Sequence, residues 1–281
     1  MLDSLRAVFS EDFLLRDAFR TALLGLVAPL AGSYLLLRRS IFLAVALPQI
    51  SAAGLAAGML VSARFYSGDA HALANPFSLA GVFLATFGTL ALFPWLHRRL
   101  KISSETLHAA GFALAGAAAS LFLAHLPHAG HAFAHFLRGE IVSVDDGLFH
   151  LALGLLLPSG LLLFLLRHRF WQSGSDPNFS TAAGLPRGRW ETALSVLVGL
   201  VLGTAVFLAG PLTCLGLMIF PALAAHRLAP SMGWLLPLSA LLGLLASLAG
   251  FVLAYHWDLP TGAVIIAANG LLLLPALFRR R

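Results

Sequence analysis

The sequence predicts an all-α, polytopic helical membrane protein with about eight or nine transmembrane helices, and three observations carry that expectation. The acids are excluded from the apolar runs: no Asp or Glu falls between Asp17 and Asp69 or between Glu191 and Asp258. Composition agrees, with 59% hydrophobic residues, 11% charged residues and a mean hydropathy of +0.88, where soluble domains carry roughly 25% charge. The apolar runs also reach the roughly 20 residues needed to cross a hydrocarbon core of about 30 Å. In that core the backbone must satisfy its own amides, as helix or closed barrel. These runs are continuously apolar, without the alternation of barrel strands, so helices are predicted.

Taken in order, residues 1–18 (MLDSLRAVFSEDFLLRDA) hold four acids and two arginines. They lack the basic leader and small-residue cleavage site of a signal peptide and read as an amphipathic lead-in. Spans are then expected at 19–37, 41–63, 77–96, 105–124, 146–166, 192–209, 212–225, 232–254 and 261–278. The seventh is short enough to be partly re-entrant. Gly210 with Pro211, and Pro221, are expected to break or bend helices, and Pro260 with Thr261 or Asp258 to start and cap the last span. No internal repeat or low-complexity tract is evident, and residues 1–281 read as one transmembrane domain.

The connections alternate in charge. Arg38 and Arg39, then Arg98, Arg99 and Lys101, then Arg167, Arg169, Arg187 and Arg189, then Arg227, and finally Arg279, Arg280 and Arg281 occupy every second one. The others hold Arg64 with Asp69, Arg138 against Glu140, Asp145 and Asp146, no charge near Gly210, and Asp258. Cytoplasmic loops carry the positive excess, so the expected layout is N-terminus outside and C-terminus inside. The net charge of +6 is thus a topology signal spread over span ends, and no basic stripe with interleaved aromatics points to nucleic acid. Cys214, the single cysteine, offers neither disulfide nor thiolate site and is expected to be a buried small hydrophobe. Ionisable groups are nearly absent from the spans, which disfavours hydrolytic or proton-coupled chemistry within them. The lone lysine, Lys101, follows Leu100, so the Gly-Lys-Ser/Thr of a nucleotide-binding P-loop is missing.

Several segments resemble one family, the permease subunits of zinc/manganese-type metal-ion ABC importers. They are GSYLLLRRSIFLAVALPQISAAGLAAG (32–58), SSETLHAAGFALAGAAAS (103–120), FLRGEIVSVDD (136–146), DPNFSTAAG (176–184), GPLTCLGLMIFPALAAHRLA (210–229) and DLPTGA (258–263). The resemblance implies a homodimeric permease in the inner membrane of a bacterium, partnered by cytoplasmic ABC ATPase subunits and an extracytoplasmic binding protein. ATP and Mg would bind on the partner ATPase, and no cofactor on this chain. The loop at 167–191 is the expected ATPase docking site, with Trp171, Asp176, Phe179, Gly184, Arg187 and Trp190 as candidate contacts, and with Phe170 as a further apolar anchor. Trp171 and Trp190 also suit an aromatic belt at the membrane surface.

The departure from the family pattern is as informative as the match. The resemblance places an Asp and, four residues later, a His on the second span, on one helical face; alignment through the paired arginines puts Val45 and Gln49 there. Valine cannot ligate a cation, and an amide oxygen is a hard donor that suits zinc poorly. Val45, Pro48, Gln49 and Ser51 are therefore the candidate translocation-path residues. Pro48 removes the hydrogen bond to the Ala44 carbonyl, which either lines a pore or merely shapes a helix contact. His125, His128, His131 and His135 crowd the outer connection after the fourth span and are candidate metal ligands, or else a solvated histidine-rich loop. The expected function is transport of zinc or manganese by alternating access; the alternatives are a chelated metal or small organic cargo, or a non-transporting membrane subunit.

Overall fold

The structure, a computed structural model, describes residues 12–65, 75–125, 146–175 and 186–278. These form ten helices: α1 (Asp12–Leu37), α2 (Ile41–Phe65), α3 (Pro76–Leu100), α4 (Ser104–Ala124), α5 (Asp146–Leu165), α6 (Arg167–Ser175), α7 (Arg187–Leu228), α8 (Met232–Trp257), α9 (Thr261–Leu271) and α10 (Leu273–Phe278). Seven are long and apolar enough to cross a membrane. Their ends follow from local chemistry. Asn75 and Ser103 cap α3 and α4 by accepting from the amides of Ser78 and Thr106, and Pro76 opens α3. Arg39, Lys101 and Asp258 turn the chain with positive φ after α1, α3 and α8.

Two boundaries differ from the sequence expectation. The first helix begins at Asp12, so residues 12–18, expected in the lead-in, continue into the first span; Ala18 is buried against Phe251 of α8. The last expected span is two short helices, α9 and α10, joined at Leu272. The spans expected at 192–209 and 212–225 are the two halves of α7, and the break expected at Gly210 with Pro211 is there: two helices meet across a kink at Gly210, with φ 75° and ψ 167°. A residue with a Cβ is strained there and glycine is not.

Side-chain contacts fix the direction of each helix. α1 and α8 are antiparallel, with Ser33 bonded to Ser239 at one level and Ala18 against Phe251 at the other. α2 and α3 are antiparallel, with Gly54 at Gly81 and Gly58 at Phe77. α5 runs parallel to α1, since Arg20 lies over the Phe149 ring and the Tyr34 hydroxyl donates to the Leu163 carbonyl at 2.7 Å. The first half of α7 rises antiparallel to α3, with Gly199 beside Phe87 and Leu90, then Gly203 beside Phe83. Its second half returns to the end where α1 finishes: Gly32 abuts Met218, and Ala222 and Leu223 share a small apolar pocket with Leu35, Leu36 and Ile41. A straight helix of 42 residues would be about 63 Å long, twice a bilayer core, and the turn at Gly210 is what folds it back. Arg38, Arg39, Arg98, Arg99, Lys101, Arg167, Arg169, Arg189 and Arg227 consequently gather at one end of the bundle, and Asp258 at the other.

α1, α2 and α7 form the core, while α3, α4 and α5 leave most of their surface open. The α2–α3 seam is closed by glycine. A Cβ on Gly54 would lie 2.3 Å from the Gly81 carbonyl oxygen, and one on Gly58 would lie 2.2 Å from that of Phe77. Gly54→Val is therefore expected to destabilise the protein by at least about 1–3 kcal/mol through overpacking. Gly88→Ala, where nothing lies within 4 Å of the new methyl, is expected to cost nothing. Thermal unfolding of the detergent-purified variants checks both.

Candidate functional site

The candidate path residues occupy the first half of α2, which continues as helix through Pro48. Val45 and Gln49 are half-buried and one turn apart, so they share a face. That face is turned toward α4: a Cβ on Gly116 would sit 3.8 Å from the Gln49 amide nitrogen. Ser51 is elsewhere. Its hydroxyl lies 2.7 Å from that of Thr86 on α3, and the Leu47 and Val82 carbonyls are 2.8 and 2.7 Å away as further acceptors. One hydroxyl donates to the other, and the pair ties α2 to α3. Pro48 is buried. The structure thus brings Val45 and Gln49 together and separates Ser51 from them.

Of the four outer histidines, His125 is described. It caps the end of α4 with its ring Nδ1 3.0 Å from the Leu121 carbonyl oxygen of the same helix. His128, His131 and His135 lie outside the described residues. Among the described residues no group of three or more His, Cys, Asp or Glu side chains converges as a metal site. Cys214 is fully buried with Met218 as its sulfur neighbour at 3.9 Å.

At the basic end, α6 is held to the bundle by the aromatic residues expected to serve a partner. Phe170 is 1% exposed, edge-on to Tyr34 at 5.6 Å and to Trp190 at 5.9 Å. Trp171 and Trp190 are half-buried and pack on the same core. This places Phe170 as an internal anchor, because an aromatic ring gains more by filling the α1–α7 crevice than by standing in water. The outward face of α6 carries His168, Arg169 and Gln172. Asp176, Phe179 and Gly184 lie outside the described residues, as does the side chain of Arg187, whose backbone opens α7.

A feature that sequence reasoning passed over lies between α2, α3, α4 and α7 at the basic end: a cavity of about 330 Å³ whose lining includes His97, Arg98 and His108. The available signal was His108 itself, an imidazole inside an apolar span of α4, stacked at a tilt 5.5 Å from Phe93.

A bundle of membrane-length helices with a basic end and an anchored surface helix defines a multi-pass helical membrane protein. The chain belongs to the ABC 3 transport family, which it matches over residues 10–280. It is similar to the manganese import system permease protein ScaB of Streptococcus gordonii, with 25% identity over 276 residues covering 95% of this chain and 92% of the relative. An uncharacterized membrane protein of Synechocystis is 24% identical over 282 residues, covering 100% of this chain and 95% of that one. Among solved structures, PsaBC from Streptococcus pneumoniae in complex with Fab shares the fold with a TM-score of 0.80 at 19% identity, covering 99% of this chain and 95% of that chain.

The position of Phe170 sets a test of what holds α6. Phe170→Ala is expected to cost about 3–5 kcal/mol and to lower the unfolding temperature, whereas Arg169→Ala on the outward face is expected to leave it within about 0.5 kcal/mol of the parent.

Proposed function

We propose that this chain is the permease of an ATP-driven importer in the bacterial cytoplasmic membrane. It works as a homodimer with cytoplasmic ABC ATPase subunits and an extracytoplasmic binding protein, and carries a divalent transition metal, manganese in preference to zinc. The observation that carries this reading is the full-length likeness to the ABC 3 transport family, together with the gathering of the basic connections at one end. By the positive-inside rule that end is cytoplasmic, and it is where an ATPase docks. The preference for manganese has two supports. The ScaB relatives of three streptococci are named for manganese import, and the Gln49 carbonyl is a hard oxygen donor suited to Mn²⁺ more than to Zn²⁺.

The mechanism follows from the anchoring of α6. Phe170 joins this surface helix to Tyr34 on α1 and to Trp190 on α7. A pull on the outward face of α6 by ATP-driven closure of the partner ATPases is thereby passed to two core helices as a rigid displacement. α7, reversed at Gly210, is in contact with most of the bundle and spreads that displacement through it. The permease contributes no covalent chemistry. With valine in place of a carboxylate on α2, the path holds free ion weakly and selectivity rests with the binding protein. The same Val45 favours a second reading, in which the cargo is a chelated metal that needs no ligands from the membrane.

Reconstitution with its ATPase and binding protein separates these. Manganese-loaded binding protein is expected to stimulate ATP hydrolysis; stimulation by a chelate alone would establish the second reading, and stimulation by neither would remove both. Separately, Val45→Asp combined with Gln49→His is expected to raise the affinity of the isolated permease for Mn²⁺ or Zn²⁺ at least roughly tenfold, since a paired carboxylate and imidazole replace one neutral amide. Calorimetric titration of parent and double variant measures the change, and equal affinities would mean that this face of α2 does not meet the ion.

A further inference from the structure

The 330 Å³ cavity at the basic end falls in the size range of small-ligand sites, and its lining is graded by depth. Ser40, His97, Arg98 and Ser104 form the rim, at the ends of α2, α3 and α4, and the deeper wall is apolar apart from His108 and two hydroxyls. Among the described residues no carboxylate lines it; Glu105, next to the lining Ser104, is exposed and outside the lining. Arg98 has no carboxylate partner among the described residues. His97 Nδ1 lies 2.6 Å from the Ile102 carbonyl oxygen. A carbonyl only accepts, so Nδ1 carries the hydrogen and Nε2 of the neutral ring presents a lone pair that accepts from a hydroxyl. The first turn of α4 opens beside them; Ser103 caps the Thr106 amide, and the Ser104 and Glu105 amides before it have no intrahelical acceptor, which adds positive potential to that of the guanidinium.

An arginine and a serine hydroxyl beside a helix N-terminus, with no facing acid among the described lining residues, suit an anion with several acceptor oxygens, and the imidazoles add acceptors for its hydroxyls. We propose that this cavity binds a phosphate-bearing anion, held at the rim by Arg98 and Ser104 with His97 Nε2 accepting from a hydroxyl of the phosphate or of its headgroup, the phosphate being that of an inner-leaflet phospholipid headgroup or a free phosphate. Basic pockets between transmembrane helices at the cytoplasmic side take lipid phosphates for the same reason, and the graded wall fits a headgroup at the rim with its glycerol below. Only the assignment to the inner leaflet rests on the orientation proposed above; the site itself is independent of the cargo. A bound phosphate would bridge α3 and α4 to α2 and stabilise whichever arrangement keeps the three together.

The test uses the full chain purified in dodecyl maltoside, a detergent without phosphate. Native mass spectrometry with added phosphatidylglycerol and calorimetric titration of inorganic phosphate form two arms. Binding in either arm is expected, and to be weakened roughly tenfold or more by Arg98→Gln, since a charge-assisted hydrogen bond is lost. Arg99→Gln, which removes the same charge from a guanidinium seated 5.1 Å over Trp95 and outside the cavity, is expected to leave binding unchanged. Binding of the lipid alone identifies a headgroup site, and binding of inorganic phosphate identifies the phosphate itself as sufficient. Absence of binding in both arms, or equal loss in Arg99→Gln and Arg98→Gln, overturns the proposal. An unfolding temperature for ligand-free Arg98→Gln equal to that of the parent establishes that its loss is not one of fold.

Discussion

Hydrocarbon offers a peptide group no hydrogen-bonding partner, and this single deprivation shapes the molecule. It forces the chain into helices, and it also removes the usual reason for helices to associate, because lipid tails are as apolar as leucine. What remains is close packing, and the contacts here are correspondingly intimate. Gly54 meets Gly81, Gly25 meets Gly243, and Gly32 meets Met218, each with backbone atoms where a Cβ would need to be. Several hydroxyls are met within their own helix: Ser33, Ser51, Thr89, Ser159 and Ser247 each have the carbonyl of the residue four positions earlier as acceptor, whereas the buried hydroxyls of Ser78 and Thr204 have no partner among the described residues.

α7 shows how a membrane protein uses one residue to redirect two segments. Gly210 joins two helices at a kink that reverses the course of the chain, so both halves can be buried in the same core and both can touch different neighbours. The reversal explains why α7 is the most enclosed of the membrane-length helices. A helix that meets α1, α2, α3, α5, α8 and α9 cannot move without moving them, which suits a subunit driven from one end.

The arrangement at the basic end divides labour between inside and outside faces of one short helix. Phe170 belongs to the core, and His168, Arg169 and Gln172 belong to the surface. An anchor of this kind transmits displacement because packed aromatic contacts are stiff and short-ranged, so a shift of the outer face cannot be absorbed in a loose joint. On α2 the chemistry is sparse by comparison: Val45 and Gln49 share a face, and Ser51 is spent on α3.

Much was legible in the order of residues alone. The acid-free runs, the alternation of basic connections and the break at Gly210 with Pro211 all follow from one-dimensional patterns, since the cost of burying charge is paid residue by residue. The helical class, the antiparallel order of the spans and the family were therefore within reach. Other features were not, because they depend on which faces meet. Sequence spacing grouped Ser51 with Gln49, and only the packed helices show that one faces α3 and the other α4. Composition offered Phe170 as a partner anchor, and only the crevice between Tyr34 and Trp190 shows that its own bundle fills it first. His97 and His108 stand eleven positions apart in a chain with many histidines, and it is the α3–α4 turn that brings them to one cavity. The sequence by itself determined that this chain lives in a membrane and which end is basic, because hydropathy and charge act locally; tertiary structure alone decided which polar groups are already satisfied and which remain for a ligand, because satisfaction is a property of neighbours.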